Sequence, residues 1–138
     1  MKRIFLLALL ASTVALYSFV DVHYTAQPDP LKASMQRGKL IYESSCITCH
    51  MERGEGLEGT FPPLAKSDYL MADKKRAIRQ LIKGVKGKMV VNGKTYNGEM
   101  AAQGLTDQQN ADVMNYILNS WGNKAPMVTL AEAKAERK

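Results

Sequence analysis

One pentapeptide constrains this chain more than any other stretch: Cys46-Ile47-Thr48-Cys49-His50. The 138-residue sequence has no cysteine beyond these two, so no disulfide framework can staple the fold. Three chemistries use thiols at this spacing. The first is thiol exchange, whose usual setting is a strand leading into a helix of a βαβ unit; here a helical stretch leads into the motif and no parallel sheet is expected to follow. The second is a zinc site, which needs four ligands. Cys49 and His50 are adjacent and make poor co-ligands of one ion, and the other histidine, His23, lies in a linker. The third is covalent attachment of a c-type haem. Only this one accounts for every residue of the motif: two thiols one helical turn apart reach two vinyl groups, and the histidine behind the second falls beneath the iron.

The N-terminus agrees with export, which that attachment requires. Lys2 and Arg3 precede an apolar run from Ile4 to Val20, the pattern of a secretory signal. Its 17 residues span about 26 Å as a helix at ~1.5 Å per residue, near the ~30 Å of a hydrocarbon core. Residues 1–22 are therefore expected to be a signal peptide or an uncleaved membrane anchor. Lys2 and Arg3 stay in the cytoplasm in either version, which puts the remainder in the periplasm or on the outer face of the membrane. Residues 23–30, with two prolines and no apolar period, read as a linker.

Residues 31–123 read as a small, mostly helical domain. Asp29-Pro30 signals a helix start. Leu31, Met35, Gly38 and Tyr42 then recur at helical spacing up to the cysteine motif. Gly38 costs that helix about 1 kcal/mol against alanine, which makes sense where a second helix crosses closely and a large side chain fills the gap. Residues 51–66 carry glycines and the Pro62-Pro63 pair, a long loop of the kind that wraps something. Ser67 and Asp73 cap two further helices, with Ala77, Ile78, Leu81 and Ile82 buried. Residues 88–96 form a hairpin around Asn92-Gly93, and 97–105 form another loop. Thr106 and Gln109 make a capping box for a helix bearing Val113, Tyr116, Ile117 and Trp121 on one stripe and ending at Gly122. Residues 124–138 are a charged tail whose short helix starts at a second capping box, Thr129 with Glu132. So little core for so much loop calls for an apolar cofactor at the centre.

A haem iron has a second axial site, and a protein ligand there makes an electron-transfer centre, whereas an open site binds gas or peroxide. His23 lies in the linker, and Met51 adjoins His50 and cannot reach the far face. Met35, Met71 and Met114 belong to helices, Met89 to the hairpin and Met127 to the tail. Met100 stands in a loop with no apolar period to account for it, behind Gly98, far enough along to return from the opposite side. It is the expected ligand.

These residues resemble a class I cytochrome c. "GKLIYESSCITCH" (38–50) is similar to that family's N-terminal helix and haem site, and "ADVMNYILNSWGN" (111–123) to the helix that crosses it, which sets Tyr116 beside Gly38. "GTFPPLAKSDYL" (59–70) and "VNGKTYNGEM" (91–100) resemble loops of bacterial members that serve respiratory enzymes. The resemblance implies an all-α fold with crossing N- and C-terminal helices around one covalently bound haem c and a small β-hairpin. It implies Cys46 and Cys49 bonded to the haem, His50 and Met100 as axial ligands, and a carbonyl of Pro62 or Pro63 holding the His50 ring. Many relatives carry proline after the ligand methionine; this chain has Ala101. The expected function is single-electron transfer between respiratory redox partners outside the cytoplasmic membrane, with no enzymatic reaction. The alternative is a cytochrome subunit held on an oxidase, reductase or dehydrogenase, and more distant rivals are a gas sensor, a peroxidase-like enzyme and a thiol oxidoreductase. The net charge of +6 comes with no nucleic-acid motif. Lys83, Lys86, Lys88 and Lys94, preceded by Lys74, Lys75, Arg76 and Arg79, would suit a redox partner with an acidic docking surface.

Overall fold

The computed structural model describes residues 29–138. The expected signal or anchor, and His23 with most of the linker, lie outside the described residues.

Helix α1 (Pro30–Ser45) begins as its sequence dictates: proline opens the first turn and the Asp29 carboxylate accepts from the Leu31 N–H at 2.9 Å. Ser34, Gly38 and Tyr42 are its buried residues, an i, i+4, i+8 stripe with small side chains at two of three positions. A single turn, α2 (Ile47–His50), follows directly. After the loop come α3 (Asp68–Ala72), capped by Ser67, and α4 (Lys74–Lys83), where Asp73 accepts from the Arg76 N–H at 2.9 Å. Ala77, Ile78 and Leu81 are buried, Ile82 partly so.

Gly84, at φ 79°, ends α4 and turns the chain into an antiparallel hairpin, β1 (Val85–Val91) and β2 (Lys94–Met100). Asn92 and Gly93 have φ of 50° and 76°, as a two-residue I′ turn requires. The hairpin extends beyond the expected 88–96 at both ends, pairing Val85 with Met100 and Gly87 with Gly98. Residues 97–100 are thus strand rather than loop. Facing glycines carry no strand propensity of their own, so local sequence hides the extension. The face bearing Val85, Gly87, Met89 and Val91 turns inward, while Lys86, Lys88 and Val90 are exposed.

Helix α5 (Asp107–Ile117) opens on the expected Thr106/Gln109 capping box. It packs so closely on α1 that a Cβ at Gly38 would lie 2.0 Å from the Asp112 carbonyl oxygen and 3.0 Å from the Tyr116 Cβ. The glycine is needed because backbone itself fills the gap, with Tyr116 beside it. The expected run of this helix through Trp121 is corrected: it stops at Ile117. The buried Asn123 supplies the reason, its Nδ2 donating to the Ile117 carbonyl and to the Leu64 carbonyl, each at 2.9 Å. That takes up an acceptor the next helical turn would have used. Trp121, freed from the helix at φ 53°, lays its ring 5.0 Å from that of Tyr42.

The tail is seated on the domain. Val128 and Ala133 are fully buried. Asn115 of α5 grips the Val128 backbone from both sides, Nδ2 to O at 2.9 Å and N to Oδ1 at 2.6 Å. The last helix, α6 (Leu130–Arg137), starts at the expected Thr129/Glu132 box.

Candidate covalent haem site

Cys46 joins α1 to α2, and its carbonyl accepts from the N–H groups of both Cys49 (3.2 Å) and His50 (2.9 Å). One tight turn thus carries both thiols and the imidazole. Cys46 is buried, Cys49 is half-buried, and neither is in a disulfide. Burial, with the neighbouring Cys49, pushes the Cys46 thiol up to about 11. A thiol held protonated at neutral pH is a poor attacking group, which argues against thiol exchange. Among the described residues no cluster of three or more His, Cys, Asp or Glu side chains could hold a metal ion.

The loop after the motif is folded back onto it. Met51 has φ 62°, and its carbonyl accepts from the buried Tyr42 hydroxyl at 2.7 Å. The Gly56 N–H reaches the His50 carbonyl at 3.0 Å. Gly56 has φ 64°, and a Cβ there would meet the Phe61 carbonyl oxygen at 2.4 Å and that of Pro62 at 2.8 Å. Only glycine lets the chain press so close to the proline pair. The His50 Nδ1 lies 3.0 Å from the Pro62 carbonyl; Nδ1–H donates there, which leaves Nε2 with its lone pair free to bind metal. Pro63 lines the adjacent cavity. Burial pushes the His50 imidazole below its ordinary value, only partly offset by the Pro62 bond, so the ring is neutral at neutral pH.

Cys46, Cys49 and His50 open onto a cavity of about 460 Å³. Leu81 of α4, Met89 and Met100 of the hairpin and Met114 of α5 form other parts of its wall. Apart from His50, the ionisable side chains that line it are those of the two cysteines, Tyr69, Tyr96 and Glu99. An apolar cavity with a few placed polar groups suits a large flat apolar ligand, and the residues present fit a haem. The sequence brought Met100 to this wall as a loop residue; it arrives instead at the end of β2. Met89 and Met114, assigned by sequence to the hairpin and to a helix, also reach the cavity. Their signal was available for Met89, whose inward parity in β1 follows from the strand's alternation.

The basic residues are mostly engaged. Lys74 pairs with Glu132 at 2.6 Å, Arg79 with Glu136 at 2.7 Å, Lys86 with Glu99 at 3.0 Å and Lys94 with Glu58 at 2.5 Å. Lys83 donates to the Lys138 carbonyl at 2.7 Å, and Arg76 stacks 3.8 Å over the Tyr69 ring. Lys75 and Lys88 make no ion pair among the described residues.

A C-x-x-C-H turn, a histidine with one nitrogen fixed and the other free, and an apolar cavity in a small helical domain define a haem-attachment protein of the c type. Comparison with known proteins agrees. The family model for cytochrome c matches residues 35–121. Cytochrome c-552 of Thermus thermophilus is 37% identical over 91 residues, covering 62% of this chain and 69% of that protein; a second cytochrome c-552 from that species is matched over 61% of its length. The cytochrome c subunit of a quinone alcohol dehydrogenase from Gluconobacter oxydans is 31% identical over 93 residues, covering 64% of this chain and 19% of that subunit. The chain belongs to the cytochrome c family. It is accordingly a monohaem electron-transfer protein whose cofactor is a covalently bound haem c.

Proposed function

We propose that this chain carries single electrons between respiratory redox partners in the periplasm or on the outer face of the cytoplasmic membrane. The observation that carries the reading is the convergence of Cys46, Cys49, His50 and Met100, from two distant segments, on one apolar cavity. Bound haem supplies a one-electron ferrous/ferric couple. Cys46 and Cys49 hold it as thioethers, and α1 and α5 are the crossing N- and C-terminal helices of the class I fold around it. His50 is one axial ligand, oriented by the Pro62 carbonyl. Met100 is the other, and its soft thioether favours the reduced state. The apolar walls disfavour the extra charge of the oxidised state and act in the same direction. Residues 31–123 form the haem domain, and residues 1–22 direct export or anchor it. Lys75 and Lys88 remain free to meet an acidic partner.

The test is the optical spectrum of the full chain matured in a host that attaches haem. The expected result is a c-type reduced spectrum, a methionine-to-iron charge-transfer band in the oxidised form, and pigment that stays on the polypeptide in acid acetone. A colourless product, or pigment released by acid acetone, overturns the reading. A second reading, a subunit held on a dehydrogenase or other redox enzyme, is favoured by the similarity to the alcohol dehydrogenase subunit. Copurification with a larger complex from native membranes supports the subunit, and isolation of the chain alone supports the free carrier.

A further inference from the structure

The stretch that follows Met100 has few ties. Residues 101–106 carry the chain from β2 to α5 without helix or strand, and Ala101 and Ala102 are exposed. The Gln103 N–H donates to the Leu81 carbonyl at 3.3 Å, and its side-chain amide turns back to the Ala101 carbonyl at 2.7 Å. The far end is anchored better. The Leu105 carbonyl accepts from Asn110 Nδ2 at 3.2 Å and from Arg137 Nη2 at 2.8 Å. Arg137 Nε also donates to Asp107 Oδ1 at 2.5 Å. One guanidinium thus joins the first residue of α5 to a carbonyl just ahead of that helix.

Arg137 is in place to do this because the tail is seated. The tail lies beyond the stretch matched by the family model, which ends at residue 121, yet Val128 and Ala133 are fully buried and Asn115 holds the Val128 backbone. From there α6 runs alongside α4. Glu132 takes Lys74 at 2.6 Å, Glu136 takes Arg79 at 2.7 Å, and the Lys138 carbonyl accepts from Lys83 at 2.7 Å. The C-terminal end of α6 therefore bridges the end of α4 and the start of α5. The end of α4 is itself pressed on the stretch after Met100: a Cβ at Gly84 would lie 2.7 Å from the Met100 carbonyl oxygen and 2.9 Å from the Ala102 nitrogen.

We infer that Arg137 is a positioning residue for the sixth ligand of the iron: supported by α6, it pins the Leu105 carbonyl and so limits how far Met100 swings out of the cavity. The inference rests on the reading of Met100 as axial ligand. Arg137 does not line the cavity and acts only through the backbone behind the ligand. A segment with few backbone bonds opens locally at little cost in free energy, so the loss of one bond raises the open population directly. The tail, which the family model does not cover, is on this account the clamp that closes the loosely held side of the site.

The experiment compares the haem-loaded full chain carrying R137Q with the parent and with an E132Q control. Each substitution removes one ion pair of α6, but the Glu132 pair reaches Lys74, at the opposite end of α4 from Leu81. Glutamine at 132 still satisfies the capping box. Two readouts are used. Imidazole binding to the oxidised protein is followed by stopped flow; at saturating imidazole its rate is set by departure of the Met100 thioether. Hydrogen exchange of the Gln103 backbone N–H is followed by NMR. R137Q is expected to raise both rates on the order of fivefold over the parent, the size that one partly exposed charge-assisted bond carries, and E132Q to raise neither. Parent-like rates in R137Q, or an equal rise in E132Q, overturn the inference. If the oxidised parent lacks the methionine-to-iron band, the Met100 reading fails instead, and exchange at Gln103 alone then decides whether Arg137 holds the stretch: faster in R137Q supports the clamp, unchanged overturns it.

Discussion

The two ends of the proposed axial pair are built very differently. On the His50 side, nearly every backbone group near the ligand is tied. Tyr42 holds Met51, Gly56 holds the His50 carbonyl, and Pro62 holds the ring. Gly54 accepts from both the Leu64 and Ala65 N–H groups, at 2.7 and 2.9 Å. On the Met100 side, the ligand sits at the last pair of a two-stranded ribbon, opposite Val85. Beyond it Ala101 and Ala102 are exposed, and the chain is tied back by a Gln103 N–H to Leu81 carbonyl bond of 3.3 Å. The histidine side is preorganised at a cost in allowed residues; the methionine side is held by little and is correspondingly tolerant. A weakly held sixth ligand is the part of such a site that gives way first.

The largest expected effect follows from that asymmetry. Met100→Ala should leave a folded, coloured protein whose reduced form binds carbon monoxide rapidly, where the parent does not. Loss of the methionine-to-iron band in the oxidised spectrum should accompany it. Met89 and Met114 share the cavity wall, so Met89→Ala is the critical companion. If Met89→Ala opens the iron to carbon monoxide and Met100→Ala does not, the comparison above concerns the wrong methionine.

Next in size is a pair of glycine substitutions, one on each side. Gly56 and Gly104 have nearly the same left-handed backbone, φ 64° and 67°. A Cβ at Gly56 would strike the Phe61 and Pro62 backbone, whereas at Gly104 it would meet nothing within 4 Å. Gly104→Ala should therefore cost only the conformational penalty, about 1 kcal/mol. Gly56→Ala adds displacement of the segment that holds the histidine ring and should cost about 3 kcal/mol. Denaturant unfolding of the haem-loaded chain measures both. Equal losses would mean that the proline loop yields as easily as the methionine loop.

The same asymmetry governed what could be read from sequence. Helix starts were legible at Asp29-Pro30, Asp73, Thr106 and Thr129, because a cap is decided within four residues. The Asn92-Gly93 turn was legible for the same reason, and so was the cysteine motif, since attachment chemistry fixes its spacing. What sequence hid depended on partners far along the chain. Ile117 ends a helix because Asn123 folds back to its carbonyl. The strands run on past Gly87 and Gly98 because each supports the other. Pro62 rather than Pro63 faces His50 because Gly56 lets the loop press in at that point. The tail belongs to the domain because Asn115 reads the backbone of Val128, a contact that no periodicity announces.

The smallest predicted effect tests whether the histidine side's foundation is itself preorganised by charge. Asp112 of α5 is buried under α1, accepting from the Ser34 hydroxyl at 2.6 Å, from Arg37 at 2.7 and 2.8 Å, and from Gln108 at 3.1 Å. Burial by itself pushes this carboxyl up, but the Arg37, Ser34 and Gln108 hydrogen bonds together outweigh it and leave it below the usual carboxylate range. A carboxyl depressed on folding contributes stability that is fully present above its unfolded value of about 3.9, and that contribution is lost as pH falls through the lower folded value. The parent should thus lose stability between these two values, and Asp112→Asn, although less stable at neutral pH, should show a flatter decline across that window. Among the described residues the methionine side has no buried carboxylate of this kind: Glu99 pairs with Lys86 in the open at 62% exposure. Were Asp112→Asn to decline as steeply as the parent across that window, the α1–α5 junction would not be the charge-dependent part of the scaffold, and the contrast between the two sides would have to rest on packing alone.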